Sequence, residues 1–208
     1  MQVPVRGMLL AAGASTRMGG MKQLLPFGSS SVVEHVVDTL LASRLEELVV
    51  VLGHEHERVA RRLTGKRVRI ALNPGYAQGM TSSVKCGLVA LGVDARAALV
   101  ALVDQPLITS SLVNTVIGAF WRSGKAICIP SYRGRRGHPV VFDLKYRDEI
   151  LSLAGDAGLK EVWRAHPDDI HHVEVDTDVT LRDMNYPEEY QAQLREHSSK
   201  SVGDREQA

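Results

Sequence analysis

The sequence predicts a three-layer α/β domain: a mostly parallel sheet with helices on both faces. Three observations predict it. Apolar runs of strand length alternate with segments of helical periodicity, the pattern of β-α-β connections. The strand runs are apolar continuously rather than at every second residue, so both faces of the sheet are covered. The chain has 208 residues, enough for one full hydrophobic core, and no repeat or linker divides it.

The first element is "VRGMLLAAG" (Val5–Gly13), a buried strand that runs into a glycine-rich loop. Ser30–Ser43 then places Val32, Val33, Val36, Val37, Leu40 and Leu41 at helical spacing. Glu47–Gly53 is a second strand, His54–Leu63 a second helix and Val68–Asn73 a short third strand. Ser82–Leu91 reads as a helix with Ser82 or Ser83 as its hydroxyl cap. "ALVALVD" (Ala98–Asp104) is the most strand-like run, and Thr109–Gly124 is a capped helix closed by a glycine. After Gly124 the rhythm changes. "AICIP", "HPVVF" and "HHVEVD" are strand-like, with helical segments near Leu144–Leu153 and Gly158–Ala165. The last helix is expected from Pro187 to about Glu196. A single domain thus spans 1–197, and the polar stretch 198–208 is expected to be disordered.

Composition narrows the function. The 25 basic and 24 acidic side chains give a net charge of +1, which disfavours nucleic acid as a partner. Cys86 and Cys128 are far apart, against a disulfide framework or a cysteine zinc site, and a reducing cytoplasm is the expected location. No apolar run reaches the roughly 18 residues of a membrane span. The N-terminal run, with Arg6 as its early cation, leads directly into the loop and does not read as a signal peptide. His54, His56, His171 and His172 read as surface or core residues, and both cysteines as packing.

The chemistry concentrates in "LLAAGASTRMGGMKQLLPFG" (Leu9–Gly28). In open α/β sheets, ligands bind beyond the carboxyl ends of the strands. Small residues there let backbone N–H groups approach an anion. Arg17 and Lys22 add charge suited to a multiply anionic ligand; the alternative is a turn whose cations face solvent. The spacing matches neither the G-x-x-x-x-G-K-[ST] loop nor the G-x-G-x-x-G fingerprint. At the end of the best strand, Asp104 fits either a turn before Pro106 or a Mg²⁺ site of carboxylate plus substrate phosphates.

Leu10-Ala11-Ala12-Gly13, Arg17-Met18-Gly19 and Lys22 together resemble the signature L-A-A-G-x-S-x-R-M-G-x-x-K of nucleotidyltransferases with a Rossmann-like, nucleotide-diphospho-sugar transferase-like fold. Within that group the chain most resembles the molybdenum cofactor cytidylyltransferases. Guanylyltransferase relatives tend to read L-A-G-G, so Ala12 points to CTP. The resemblance implies that Leu10, Ala11, Ala12, Gly13, Arg17 and Lys22 wrap the triphosphate. It implies a base and ribose pocket at "NPGYAQGMTSSVKCGL", with Asn73, Gly79, Ser82 and Ser83. Asp104, in the family's D-Q-P, becomes a Mg²⁺ ligand, and Arg17, Lys22 and Asp104 carry catalysis. A second metal ligand is implied in "VDTDVTLRDMNYPEEY", where Asp183 and Asn185 are the candidates. Residues two apart in an extended segment face the same way. Asn185 stands where the family usually has Asp, and Tyr186 and Glu189 also depart from its pattern. A neutral amide is the weaker ligand, so Asp183 ranks first, while Asn185 also fits a helix cap before Pro187.

Gly137-His138-Pro139 matches the family's G-x-P, which implies an acceptor side, and a pterin phosphate would welcome Arg135 and Arg136. A solvated basic hairpin, Arg133 included, is the alternative. The implied reaction is Mg²⁺-dependent transfer of CMP from CTP to molybdopterin-bound molybdenum cofactor, for delivery to a molybdenum hydroxylase apoenzyme. Transfer of GMP or another nucleotide to the pterin, a sugar phosphate or a small alcohol is one rival. A non-catalytic cofactor carrier is the other.

Overall fold

The computed structural model describes residues 2–206, with side chains through 199. In chain order, β1 (Val5–Ala11) enters the glycine loop, and a tight hairpin of β2 (Pro26–Phe27) and β3 (Ser30–Ser31) follows it. Next come α1 (Val32–Leu41), β4 (Leu48–Leu52), α2 (His56–Arg62), β5 (Arg69–Leu72), α3 (Met80–Leu91), β6 (Ala97–Leu102) and α4 (Ser110–Ser123). The second half carries β7 (Ile127–Tyr132), β8 (Arg135–Arg136), β9 (Val140–Asp143), α5 (Arg147–Ser152), α6 (Leu159–Ala165), β10 (Ile170–Glu174) and α7 (Pro187–Glu206).

The main sheet has the order β10-β7-β9-β6-β1-β4-β5. Its strands are parallel except β9, which runs antiparallel between β6 and β7, and β8, which pairs antiparallel with β7 off this path. β1 lies at the centre, with Leu9 opposite Val50 on β4 and Ala101 on β6. The continuous apolar runs have the predicted consequence: every residue of β4 and of β6 is buried. Alternate residues feed two separate cores. Leu9 and Ala11 pack under α1, α2, α4 and α7, while Met8, Leu10 and Ala12 pack under α3, α5 and α6. That places the carboxyl ends of β1 and β6 side by side, so the glycine loop and Asp104 leave the sheet at the same edge.

Local chemistry sets the helix ends. Ser31 and Glu34 form a reciprocal capping box at α1. The Thr109 hydroxyl accepts from Leu112 N at α4, which closes on Gly124 in the left-handed region. α3 corrects the sequence reading. It starts at Met80 with Gly79 as N-cap, and Ser82 and Ser83 do not cap it. Gly79 has φ 99° and ψ −179°, a conformation only glycine adopts readily. α7 also runs beyond its expected end near Glu196: residues 198–206, expected to be disordered, continue it to Glu206. Gln207 and Ala208 lie outside the described residues.

β8 and β9 are one strand interrupted by a bulge. Ser131 faces Arg136, yet Cys128 faces Val141, so five steps on one side match three on the other. The two extra residues fall within Gly137-His138-Pro139. Gly137 is buried, and a Cβ there would collide with the Thr180 carbonyl. His138 N donates to that same carbonyl at 3.0 Å. The bulge therefore docks the hairpin onto the 3₁₀ turn Asp178–Leu181, just before the segment that carries Asp183 and Asn185.

Candidate active site

Between β1 and β2 the chain turns twice through left-handed conformations, at Ser15 (φ 54°) and Gly19 (φ 67°), around the 3₁₀ turn Thr16–Met18. Gln23 pins this loop. Its fully buried amide donates to the carbonyls of Ala11 (3.1 Å) and Gly13 (2.7 Å), and Ser15 Oγ donates to its Oε1 at 3.3 Å. Sequence reading missed Gln23, although it directly follows Lys22. The result is a depression of about 200 Å³ bounded by Gly13, Ser15, Thr16, Arg17, Lys22 and Asn185. Arg17 is exposed on its rim, its guanidinium 5.9 Å from the centre of the Tyr186 ring. The side chains of Leu10, Ala11 and Ala12 are buried in the cores, so only their backbones can serve a ligand.

Lys22 is the hub. Only 9% exposed, its ammonium donates to Asp104 Oδ2 (2.8 Å), Asn185 Oδ1 (3.0 Å) and the Met184 carbonyl (3.1 Å). Met184 N donates to the Asp104 carbonyl at 2.8 Å, which holds the 183–185 segment beside the end of β6. Three stretches distant in sequence thus meet on one charge. The other carboxylate oxygen, Asp104 Oδ1, is buried and has no hydrogen-bond partner among the described residues.

The two further candidates have different surroundings. Asn185 joins Asp104 around Lys22, whereas Asp183 Oδ1 accepts from Gln105 Nε2 at 2.9 Å. The 182–186 stretch follows a 3₁₀ turn and is not a regular strand, so residues two apart do not share a face. Desolvation raises the Asp183 carboxyl above the usual range, and the nearby Asp104 charge adds to this while the Gln105 amide opposes it.

Asn73, Gly79, Ser82 and Ser83 come together in one polar knot. Asn73 Nδ2 donates to Ser82 Oγ (2.9 Å) and Ser83 Oγ (3.0 Å), and Ser82 Oγ donates to the Gly75 and Gly79 carbonyls. Their side chains shape the loop before α3.

His138 opens a second space. A cavity of about 370 Å³ runs from His138 and Gly137 past Val100, Ile129 and Val140 to Trp163. Burial lowers the affinity of His138 for a proton, and the Asp104 charge partly offsets this. Arg136 lines the cavity; Arg135, its neighbour on the short strand, does not. Adjacent strand residues point to opposite faces. Among the described residues, no three histidine, cysteine, aspartate or glutamate side chains converge as a metal cluster. No helix there is long and apolar enough to cross a membrane.

Residues 7–170 match the family of the MobA-like NTP transferase domain. The chain belongs to that family. It is 37% identical to the Nicotine blue oxidoreductase of Paenarthrobacter nicotinovorans, over 78% of this chain and 83% of that one. It is 25% identical to the Molybdenum cofactor cytidylyltransferase of Escherichia coli, over 88% of this chain and 91% of that one. The fold is that of Mycobacterium tuberculosis Rv0371C, solved in complex with manganese, at 22% identity and TM-score 0.79, covering 93% of this chain and 99% of that one. The MobA-like chain is thus a nucleotidyltransferase, related to the molybdenum cofactor nucleotidyltransferases, with the Rossmann-like architecture expected of it.

Proposed function

We propose that this enzyme transfers CMP from CTP to the phosphate of a pterin acceptor, the molybdenum cofactor, and releases pyrophosphate. The observation that carries the reading is the junction at Lys22. The glycine-loop depression is lined by Lys22, which is paired with the acid at the end of β6, and the apolar cavity beyond His138 offers room for a second substrate. In the reaction, an oxygen of the acceptor phosphate bonds to the α-phosphorus of CTP. The bond from that phosphorus to the bridging oxygen of the β-phosphate breaks, and pyrophosphate leaves with the electron pair. A phosphate monoester has its second pKa near about 6, so it is largely ionised at neutral pH and needs no general base.

The protein's task is therefore to bring two anions together. Backbone N–H groups of residues 13–20 and the exposed Arg17 receive the triphosphate. Lys22, held in place by Asp104, Asn185 and the Met184 carbonyl, supplies positive charge beside the phosphates. His138, kept neutral by burial, donates a hydrogen bond to the acceptor phosphate at the cavity mouth. Asn73, Gly79, Ser82 and Ser83 shape the base and ribose pocket, and the Ala11-Ala12-Gly13 form of the loop start, through its backbone, supports CTP.

A divalent cation fits the donors at this corner. Asp104 Oδ1 is a buried oxygen in need of a partner, and Asn185 Oδ1 and the Met184 carbonyl are hard oxygens that share the Lys22 ammonium with Asp104 Oδ2. One carboxylate completed by substrate phosphates suits Mg²⁺. Asp104 and Asn185 would hold the ion, with Asp183 as the alternative to Asn185. When bound it supplies charge neutralisation and alignment of the phosphates. The cofactor product would pass to a molybdenum hydroxylase apoenzyme.

The 37% identity to Nicotine blue oxidoreductase favours a second reading, an oxidoreductase acting on nicotine blue or a similar compound. One experiment separates the two. Purified protein is incubated with Mg²⁺, CTP or GTP, and molybdopterin, and pyrophosphate is measured. Parallel samples hold NAD(P)H and nicotine blue. Acceptor-dependent pyrophosphate release with CTP ahead of GTP supports the transferase. Equal kcat/KM for CTP and GTP removes Ala12 as the selector. Nicotinamide oxidation without pyrophosphate release replaces the reading altogether.

A further inference from the structure

The cavity beyond His138 holds one carboxylate that no sequence motif above includes. Asp156 lies on the loop before α6, and its carboxylate reaches across the cavity wall to the first turn of α3. Asp156 Oδ1 accepts from Thr81 N and Thr81 Oγ1, each at 3.3 Å. Thr81 Oγ1 in turn accepts from Gly158 N at 2.9 Å, so the loop is stapled to α3 at two points. The approach is close: a Cβ at Gly79 would collide with the Asp156 carboxylate. Asp156 is thus fixed in direction although it is exposed, and Oδ2 makes no hydrogen bond among the described residues.

Around it the cavity is apolar, with Val84, Ile129, Val140 and Trp163 among its walls. A fixed acceptor-only group in such a space selects for donors. Two parallel N–H groups on the edge of a flat ring match a carboxylate fork, as a guanidinium does. The 2-amino-4-oxo pyrimidine edge presents that pair, an exocyclic amine beside a ring N–H. A 2,4-dioxo edge replaces the amine with an oxygen, which the carboxylate repels. Cations at the cavity rim, Arg136 and Lys160, suit an anionic substituent on the same ligand.

We infer that Asp156 is a specificity-determining residue of the acceptor cavity, which selects a 2-amino-4-oxo heterocycle by accepting hydrogen bonds from its amine and adjacent ring N–H. The inference rests on the acceptor reading above and adds which edge of the acceptor is read and by which side chain. It also accounts for the demand for glycine at position 79 by the approach of the carboxylate as well as by its backbone angles.

The test uses the intact protein and two commercial-type probes, pterin (2-amino-4-oxopteridine) and lumazine (2,4-dioxopteridine), which differ at the 2-position. Binding of each is measured by calorimetry, with CTP binding as the control. A site built to bond an N–H rejects an analogue that lacks it, so wild type should bind pterin at least about tenfold more tightly than lumazine. Asp156→Asn keeps an acceptor for Thr81 and a similar shape. It should bring the two affinities to within about twofold and leave CTP binding unchanged, because one amide N–H replaces an acceptor oxygen of the fork. Equal binding of pterin and lumazine by wild type overturns the inference while sparing the acceptor reading. So does an undiminished preference in Asp156→Asn. Failure of both pteridines to bind a protein that still binds CTP overturns the acceptor reading and this inference with it.

Discussion

The Lys22 corner and the cavity beyond His138 are built on opposite plans. At the corner, a buried ammonium is held by three oxygens from two distant segments, and the loop that carries it is pinned by the buried Gln23. In the cavity, ordinary core residues of β6, β7, β9, α3 and α6 leave a gap, and charged groups stand only at its edge. On the proposed reaction, the difference follows from what each must do. Charge that acts on a phosphate must be set in place before the substrate arrives, or its alignment is lost to reorganisation. A second substrate that is largely a ring needs shape and a few directional contacts. The corner is therefore costly to disturb, and the cavity is tolerant in stability but exacting in selectivity.

The largest effect should come from Lys22→Ala. It removes the charge proposed for the triphosphate, and it also strips the partner from Asp104 and frees the Met184–Asn185 segment. Turnover should fall by at least about a hundredfold, which corresponds to roughly 2.7 kcal/mol of barrier. The melting temperature should fall as well, by several degrees, on the scale of about 2–4 °C per kcal/mol for a domain of this size. Pyrophosphate release and thermal unfolding of the same preparation measure both. Turnover within about threefold of wild type would remove Lys22 from the reaction, and an unchanged melting temperature would show that the hub is not structural.

A smaller effect separates Asn185 from Asp183. If the oxygens around Lys22 are those that serve a metal ion, Asn185→Ala should lower turnover about tenfold at limiting Mg²⁺, because Mg²⁺ relies on few protein oxygens. Asp183→Ala should change it by less than about threefold, because its carboxylate is engaged with Gln105 rather than with the corner. Titrating Mg²⁺ against initial rate for both variants decides it. A larger loss from Asp183→Ala would restore the order that ligand chemistry alone suggests.

The different surroundings of Asp183 and Asn185 show where sequence stops being legible. β1, β4 and β6 are evident because a strand covered on both faces leaves a run of apolar residues that no other element of that length needs. The glycine loop and Asp104 are evident because their chemistry is local. The choice between Asp183 and Asn185 depends on the path of an irregular segment, which periodicity does not describe. β2 and β3 are two residues each, too short for any pattern. The reversed direction of β9 is invisible because a strand's composition is the same either way. Gln23 reads as one more polar loop residue until the carbonyls it satisfies are in place. The cavity is the extreme case: Val100, Ile129, Val140 and Trp163 look like core in their own segments, and only the fold shows that they leave a gap. Ser82 and Ser83 fail in the other direction, since a hydroxyl near a helix start looks like a cap whether or not it is one.

The smallest expected effect falls on the basic hairpin, where sequence treats Arg135 and Arg136 alike and the structure does not. Arg136 lines the proposed acceptor cavity and lies 3.4 Å from His172 Nε2, while Arg135 is the register partner of Tyr132 and lies outside the cavity. Both are exposed, so the interaction of either with a phosphate is weak and screened. Arg136→Ala should raise the KM for the molybdopterin acceptor about three- to fivefold and leave that for CTP unchanged, on the order of 1 kcal/mol for an exposed charged contact. Arg135→Ala should change neither constant. The Arg136 effect should shrink as salt rises, because exposed charges are screened beyond about 8 Å at physiological ionic strength. Measuring both constants for both variants at two salt concentrations tests the asymmetry directly. Equal losses from the two arginines would mean that the hairpin acts as a diffuse positive field. A loss confined to CTP would move Arg136 from the acceptor to the nucleotide, and with it the boundary between the corner and the cavity.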